Sequence, residues 1–295
     1  MIGIDFITDV AVPALVWLLM LVVGLELAPA DFRRVVQYPR AVALATLGQL
    51  MLLPAVAGLL IWALTPDPWV TAGLILLAAS PGGAISNLYT HLARGHLALS
   101  VTLTALSTLL ALVTMPALIA AGFALFLDES QAVPIPVGRM VGQLGLMLLL
   151  PLGLGMAVRA WRPVAVAATR LPLRWLSLVT LGGLVGLILV DQRDGLAAIL
   201  GPALAVALPY CVLTMAMGWL VGTLGGLEPD DRLSLLIEFG TRNLALVALV
   251  GVTVLGQVRL VLLATLFFLV ELPLVLMLIT VRTRQLARTA PGLRR

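Results

Sequence analysis

In a chain of 295 residues, 61% hydrophobic residues and only 11% charged ones exclude an ordinary soluble domain, where about a quarter of positions are charged. The net charge of +4 at pH 7 comes entirely from arginine, which sits in short clusters between apolar runs and not on one basic face, so a nucleic-acid partner is excluded. The single cysteine, Cys211, excludes an internal disulfide and a cysteine metal cluster.

At about 20 residues per span, the apolar runs predict an all-α membrane protein with nine transmembrane helices. They are placed near 9–29, 41–64, 69–89, 97–126, 137–157, 175–191, 196–224, 233–256 and 259–281. The first run is long enough to remain as a span, and no cleavable signal peptide is evident. One side of this topology collects Arg33, Arg34, Arg40, Arg94, Arg159, Arg162, Arg170, Arg174, Arg232, Arg282, Arg284, Arg288, Arg294 and Arg295; the other holds only Arg139, Arg193 and Arg259. The positive-inside rule then places the C-terminus in the cytoplasm and the N-terminus outside.

The third span is interrupted at Ser80-Pro81-Gly82-Gly83-Ala84-Ile85-Ser86-Asn87. Pro81 lacks an N–H and clashes with the preceding turn, so a helix break is expected. Inside a bilayer a break survives only where protein, water or an ion satisfies the freed backbone groups. The fourth span carries Ser100, Thr104, Ser107 and Thr108 on one helical face. Ser107 and Thr108 are read as bonding carbonyls one turn back, whereas Ser100 and Thr104 follow a tight reversal at 93–96 that can bring them to the break.

The eighth span is interrupted at Glu238-Phe239-Gly240-Thr241-Arg242-Asn243. Two interrupted, oppositely directed spans in corresponding places predict an inverted-repeat core with a site at mid-membrane. Glu238, Ser86, Asn87, Ser100 and Thr104 form an all-oxygen set with one negative charge, which suits a hard monovalent cation such as sodium. A carboxylate at that depth needs a partner, a cavity or an ion, and a salt bridge to Arg242 is the structural alternative for Glu238.

Glu271 is another charge at membrane depth, and two roles fit it: partner of Arg242, or a protonatable coupling group. The ordinary reading of Gln49 is one interhelical hydrogen bond. Glu26 is expected to snorkel or cap a neighbour, and His91 and His96 lack a third ligand for a metal. Asp128, Glu129, Asp191 and Asp194 read as solvated loop charges. No catalytic triad, metal-ligand spacing or phosphate-cradling loop occurs in a credible context, so no enzyme activity is expected.

Three segments together make the chain resemble the bile acid/sodium symporter family: Ser80-Pro81-Gly82-Gly83 with Ser86-Asn87, Ala98-Leu99-Ser100 through Thr104, and Ile237-Glu238-Phe239-Gly240 with Asn243. The resemblance runs from Gly24-Leu25-Glu26-Leu27 to the last span. It implies a core of two broken, crossing helices, here 41–126 and 196–281, moving against a panel, here 9–29 and 137–191. Ten-span members of the family carry an extra first helix, and the nine-span reading implies a topology without it. The resemblance also implies a bacterial inner membrane as the location.

The family's first sodium site maps onto Ser86, Asn87, Ser100, Thr104 and Glu238. Its second uses Glu238, an amide corresponding to Gln49, and a glutamine that is here Arg242. A guanidinium offers donors only and cannot ligate sodium, so the second site is expected to be lost and coupling to fall to one Na+. Family substrates are organic anions, bile-acid-like or small carboxylates. Backbone N–H groups of Gly83 and Ala84 with the side chain of Asn243 are the expected anion contacts, and Glu271 stands near where some members carry a polar amide.

These features together lead to an expectation of sodium-driven symport of an organic anion across the lipid bilayer by core-against-panel rocking. Alternatives are a proton-coupled or uncoupled exporter and a non-transporting membrane sensor of the same fold. Oligomeric state is not encoded in any feature of the chain.

Overall fold

The computed structural model describes residues 7–128, 137–193 and 196–289, which are almost wholly helical. Glu129, Asp194, Arg294 and Arg295 lie outside the described residues. In chain order the helices are α1 (Val12–Glu26, entered through a wide π-helical turn Ile7–Ala11), α2 (Pro29–Gln37), α3 (Pro39–Leu64), α4 (Pro68–Ala79), α5 (Ile85–Leu92) and α6 (Leu97–Phe126). There follow α7 (Val137–Leu144), a π-helical turn Gly145–Leu149, α8 (Leu150–Trp161), α9 (Pro163–Ala168), α10 (Arg170–Asp191) and α11 (Leu196–Leu224). The chain then forms α12 (Pro229–Gly240), α13 (Leu244–Ala248, extended by a π-helical stretch Leu249–Val254) and α14 (Val258–Thr289).

Among the described residues, seven helical segments are long and apolar enough to cross a membrane: Asp9–Glu26, Pro39–Leu64, Leu97–Phe126, Val137–Trp161, Leu171–Asp191, Ile199–Leu224 and Val258–Leu286. The expected third and eighth spans are instead pairs of shorter helices, α4 with α5 and α12 with α13. Proline sets several starts: Pro29, Pro39, Pro68, Pro163 and Pro229 each open a helix, where the missing N–H has no intrahelical partner to lose. The turn Gly145–Leu149 widens just before Pro151, which cannot donate to the preceding turn.

The structure moves several expected boundaries. Residues 30–40, read as a loop, contain α2, whose first turn is fixed by Asp31: its carboxylate accepts from Ala28 N at 2.7 Å and from Arg34 Nη1 at 2.5 Å. The connection 158–174 contains the short helix α9. The eighth span's helix begins four residues early at Pro229, because Glu228-Pro229-Asp230-Asp231 supplies a proline start and acidic residues beside the helix N-terminus.

Two groups of helices share one buried apolar core. α1 lies against α8 and α10. A Cβ on Gly24 would fall 2.2 Å from the Leu152 carbonyl oxygen, and one on Gly155 2.4 Å from that of Leu21. These small residues therefore let the α1 and α8 backbones touch. In the other group α11 packs on α3, α12 and α14, α6 packs on α3 and α4, and α14 packs on α4. The groups meet where α13 and the π-helical stretch that follows it abut α1, where α7 abuts α6 and that stretch, and where α10 abuts α14.

Candidate ion and anion site

The two interruptions lie against each other. Gly82 and Arg242 form an antiparallel backbone pair, flanked by Gly83 N donating to Thr241 O at 3.3 Å and Asn243 N donating to Pro81 O at 3.0 Å. Backbone groups released by one break are thus satisfied by the other, as a membrane interior requires. The second break is tighter than the sequence suggests: Glu238, Phe239 and Gly240 remain in α12, and only Thr241, Arg242 and Asn243 leave the helix. A Cβ on residue 82 would sit 2.2 Å from Glu238 Oε1, so glycine there is a requirement of close approach.

Around that carboxylate the structure gathers all five residues of the oxygen set. Ser86 Oγ donates to Glu238 Oε2 at 2.6 Å, and Thr104 Oγ1 lies 3.0 Å from Glu238 Oε1. Ser100 Oγ lies 2.9 Å from Asn87 Oδ1 and 3.3 Å from Glu238 Oε2. Ser86, Ser100, Thr104 and Glu238 are fully buried or nearly so. The break supplies Ser86 and Asn87 on the first turn of α5, while positions 100 and 104 lie one turn apart on α6.

Each hydroxyl has one proton, yet Thr104 Oγ1 already faces the Ser100 carbonyl at 3.0 Å, and Ser100 has two acceptors in reach. Acceptors outnumber protons around a buried formal charge, so the arrangement suits a cation.

Thr90 was missed in the sequence. It is fully buried, one turn beyond Ser86, and donates to Ser100 Oγ at 3.3 Å. The signal that could have found it is the i, i+4 spacing from Ser86. Ser107 donates to the Thr104 carbonyl at 3.2 Å, the packing role expected of it.

Arg242 is 4% exposed. Its Nη2 donates to Gln49 Oε1 at 3.3 Å and its Nε to the Thr241 carbonyl at 3.2 Å, so Gln49 and Arg242 do come together. Among the described residues it forms no ion pair with Glu238 or Glu271. Glu271 is 1% exposed, and neither carboxylate oxygen has a hydrogen-bond partner among the described residues. The salt bridge weighed for either carboxylate is therefore not made in this conformation.

A cavity of about 670 Å³ opens between the two helix groups. Its floor includes Gly83, Ala84, Asn87, Arg242 and Asn243; its walls are apolar residues of α1, α10 and α14; Arg34 and Arg159 stand at its arginine-rich end. Gly83, Ala84 and Asn243 thus line one space, and Glu271, which is buried, does not line it. The N–H of Gly83 is taken by Thr241 O, which leaves the N–H of Ala84 and the Asn243 amide as donors. Asn243 Oδ1 accepts from Leu246 N at 3.1 Å, capping α13 and turning the amide NH₂ outward. Glu26, expected to cap a neighbour, also lines the cavity, and its backbone carbonyl accepts from Arg159 Nη1. His96 Nδ1 pairs with Asp231 Oδ1 at 2.6 Å, tying the α5–α6 reversal to the start of α12.

A profile described as the Sodium Bile acid symporter family matches residues 13–199, a stretch that holds the first break and the α6 hydroxyls. The chain is 29% identical over 228 residues to the uncharacterized sodium-dependent transporter YocS of Bacillus subtilis (strain 168), covering 77% of this chain and 68% of that protein. It is 31% identical over 248 residues to sodium/bile acid cotransporter 4 of Homo sapiens, covering 81% of this chain and 54% of that protein. Over 145 residues it is 32% identical to the probable sodium/metabolite cotransporter BASS2, chloroplastic, of Oryza sativa subsp. japonica, covering 49% of this chain and 33% of that protein. The chain therefore spans about half the length of the human relative and a third of the rice one. These relatives are named as transporters and none as an enzyme, and with the profile covering well over half of its length the chain belongs to the sodium bile acid symporter family.

Proposed function

We propose that the protein is a secondary active transporter carrying an organic anion into the cell together with a single sodium ion. The observation that carries this reading is the oxygen cluster on Glu238, held at the junction of two broken helices and beside a cavity large enough for a drug-sized anion. The sodium ligands are Ser86, Asn87, Ser100, Thr104 and Glu238. The anion occupies the cavity against Ala84 and Asn243. Arg242, hydrogen-bonded to Gln49, takes the place of a second ion as a fixed charge.

In this reading the two broken segments complete a set of nine spans, with the halves related as inverted repeats. The C-terminus lies in the bacterial cytoplasm, the arginine-rich mouth opens inward, and the panel of 9–29 and 137–191 rocks against the core of 41–126 and 196–281. Packing supports the division in that α1 contacts both α8 and α10, with the α1 and α8 backbones brought together at Gly24 and Gly155.

Uptake of labelled cholate and small carboxylates into proteoliposomes, with and without an inward sodium gradient, tests the proposal. Gradient-dependent uptake with a sodium Hill coefficient near unity is expected. Uptake indifferent to sodium, or binding without uptake, would remove it.

A further inference from the structure

Between α3, α6 and the first break lies a second, much smaller cavity of about 20 Å³, whose lining includes Gln49, Ser80, Pro81, Ser107 and Arg242. It has room for one particle of about the size of a water molecule or slightly larger. The guanidinium reaches this space at the Gln49 amide, where Arg242 Nη2 donates to Gln49 Oε1 at 3.3 Å. Its other hydrogen bond, from Nε to the Thr241 carbonyl at 3.2 Å, also goes to a neutral oxygen. Arg242 is buried and forms no ion pair among the described residues. Among the described residues no acidic side chain lines the space.

The far end of the same amide supplies an independent observation. Gln49 is more than nine-tenths buried, and its Nε2 has no hydrogen-bond partner among the described residues. Turning the amide over does not cure this, because it would set the NH₂ group against the guanidinium, donor against donor. Ser80 and Ser107 already donate to the Leu77 and Thr104 carbonyls, so they add no unused proton to the wall. The space therefore presents a permanent positive charge beside an unmet N–H donor. A buried charge without a partner is unfavourable, and a guanidinium cannot relieve it by losing its proton.

We propose that this small space binds one monovalent inorganic anion, chloride, held between the Arg242 guanidinium and the NH₂ group of Gln49.

Charge and size both select this class of ligand. A cation is repelled by the guanidinium. A water molecule would satisfy Gln49 Nε2 but leave the charge uncompensated. Carboxylates, sulfate and phosphate are each several atoms across and exceed the space of about 20 Å³. A halide is a spherical acceptor that takes hydrogen bonds from both donors at once. The organic anion of the large cavity is a different ligand in a different place, so the chloride site does not depend on the transport reading.

The site bears on the oxygen cluster through the backbone. Arg242 pairs with Gly82, and Glu238 Oε1 lies against residue 82. An unneutralised guanidinium on that pair opposes a cation at Glu238, and chloride removes the opposition. By linkage, each ion then tightens the other.

Thermal unfolding of the purified full chain in choline chloride and choline gluconate, at equal millimolar concentrations, tests the site without sodium. Chloride should raise the midpoint saturably over gluconate, and bromide should do the same. Crystals soaked in bromide should show an anomalous peak between Arg242 and Gln49. In Arg242→Gln the chloride response should vanish. In Gln49→Glu the new carboxylate supplies the counter-charge in place. The response should again vanish, and the midpoint in gluconate should rise toward that of the native protein in chloride. Apparent sodium affinity of the native protein should be tighter in chloride than in gluconate by about fivefold or more.

A midpoint indifferent to chloride, or bromide found only elsewhere, would overturn the site. So would a chloride response that persists in either variant, and sodium affinity that ignores chloride would overturn the coupling. The midpoint and the bromide peak are read on native protein, so a misfolded substitution cannot mask the result. Failure of the transport reading would show separately, as chloride stabilisation without uptake into proteoliposomes.

Discussion

Gly82 and Arg242, 160 positions apart in the chain, face each other as an antiparallel backbone pair, and this places the side chain of Glu238 directly over residue 82. The contact makes a small change informative. In Gly82→Ala the new methyl would meet Glu238 Oε1 at 2.2 Å, so the carboxylate or the break must shift. We expect a stability loss of about 1–3 kcal/mol and a larger proportional loss of sodium affinity. Sodium-dependent thermal stabilisation in detergent measures both.

Glu238→Gln removes the only formal charge among the oxygen ligands while keeping the shape. Taking away one member of a buried charge pair costs about 3–5 kcal/mol, which corresponds to more than a hundredfold in a dissociation constant. Sodium binding by calorimetry should fall below detection in the millimolar range. Retention of micromolar to low-millimolar binding would place the ion elsewhere.

Ser100→Ala and Ser107→Ala separate ligation from packing on one face of α6. Ser100 reaches both Asn87 and Glu238, whereas Ser107 reaches only the Thr104 carbonyl. The first should weaken sodium affinity by tenfold or more, about 1.4 kcal/mol or upward. The second should leave it unchanged, with stability within about 0.5 kcal/mol of the native protein. Equal effects would mean that the face acts only as a packing surface.

Much of this site was legible because its signals are steric and compositional. Pro81 with two glycines in an apolar run can only mean an interruption, and Ser100 and Thr104 share a face through helical geometry alone. What the sequence withheld depends on tertiary contact. Nothing local says that Thr241 and Asn243 will hydrogen-bond to the first break, which lets α12 stay helical through Gly240. The direction of Arg242 was equally hidden, since Gln49, Glu238 and Glu271 are all plausible partners by type, and the fold selects Gln49. Helix α2 was hidden by polarity: its nine residues lack an apolar run, although the carboxylate contacts of Asp31 to Ala28 N and Arg34 are local, and its tie to α6 is the Thr102 hydroxyl on the Asp31 carbonyl.

Gly24→Ala probes the panel without touching the ion. Its methyl would strike the Leu152 carbonyl oxygen, which is backbone and cannot swing aside. The α1–α8 seam should therefore open at a cost of about 1–3 kcal/mol. Thermal unfolding would record the loss, while sodium affinity stays native because no ligand lies on α1 or α8. A parallel loss of sodium binding would show that the panel and the cluster are mechanically coupled already in the empty protein.

Arg242→Gln tests whether a fixed guanidinium has replaced an ion. The substituted amide offers an acceptor oxygen where the native side chain has donors only, beside Gln49 and within the small space lined by Ser80, Pro81 and Ser107. Sodium binding measured without substrate should change from one site to two, with the Hill coefficient rising above unity. If the substituted protein folds, binds sodium through Glu238 and still shows a single site, then Arg242 does not stand in for a second ion.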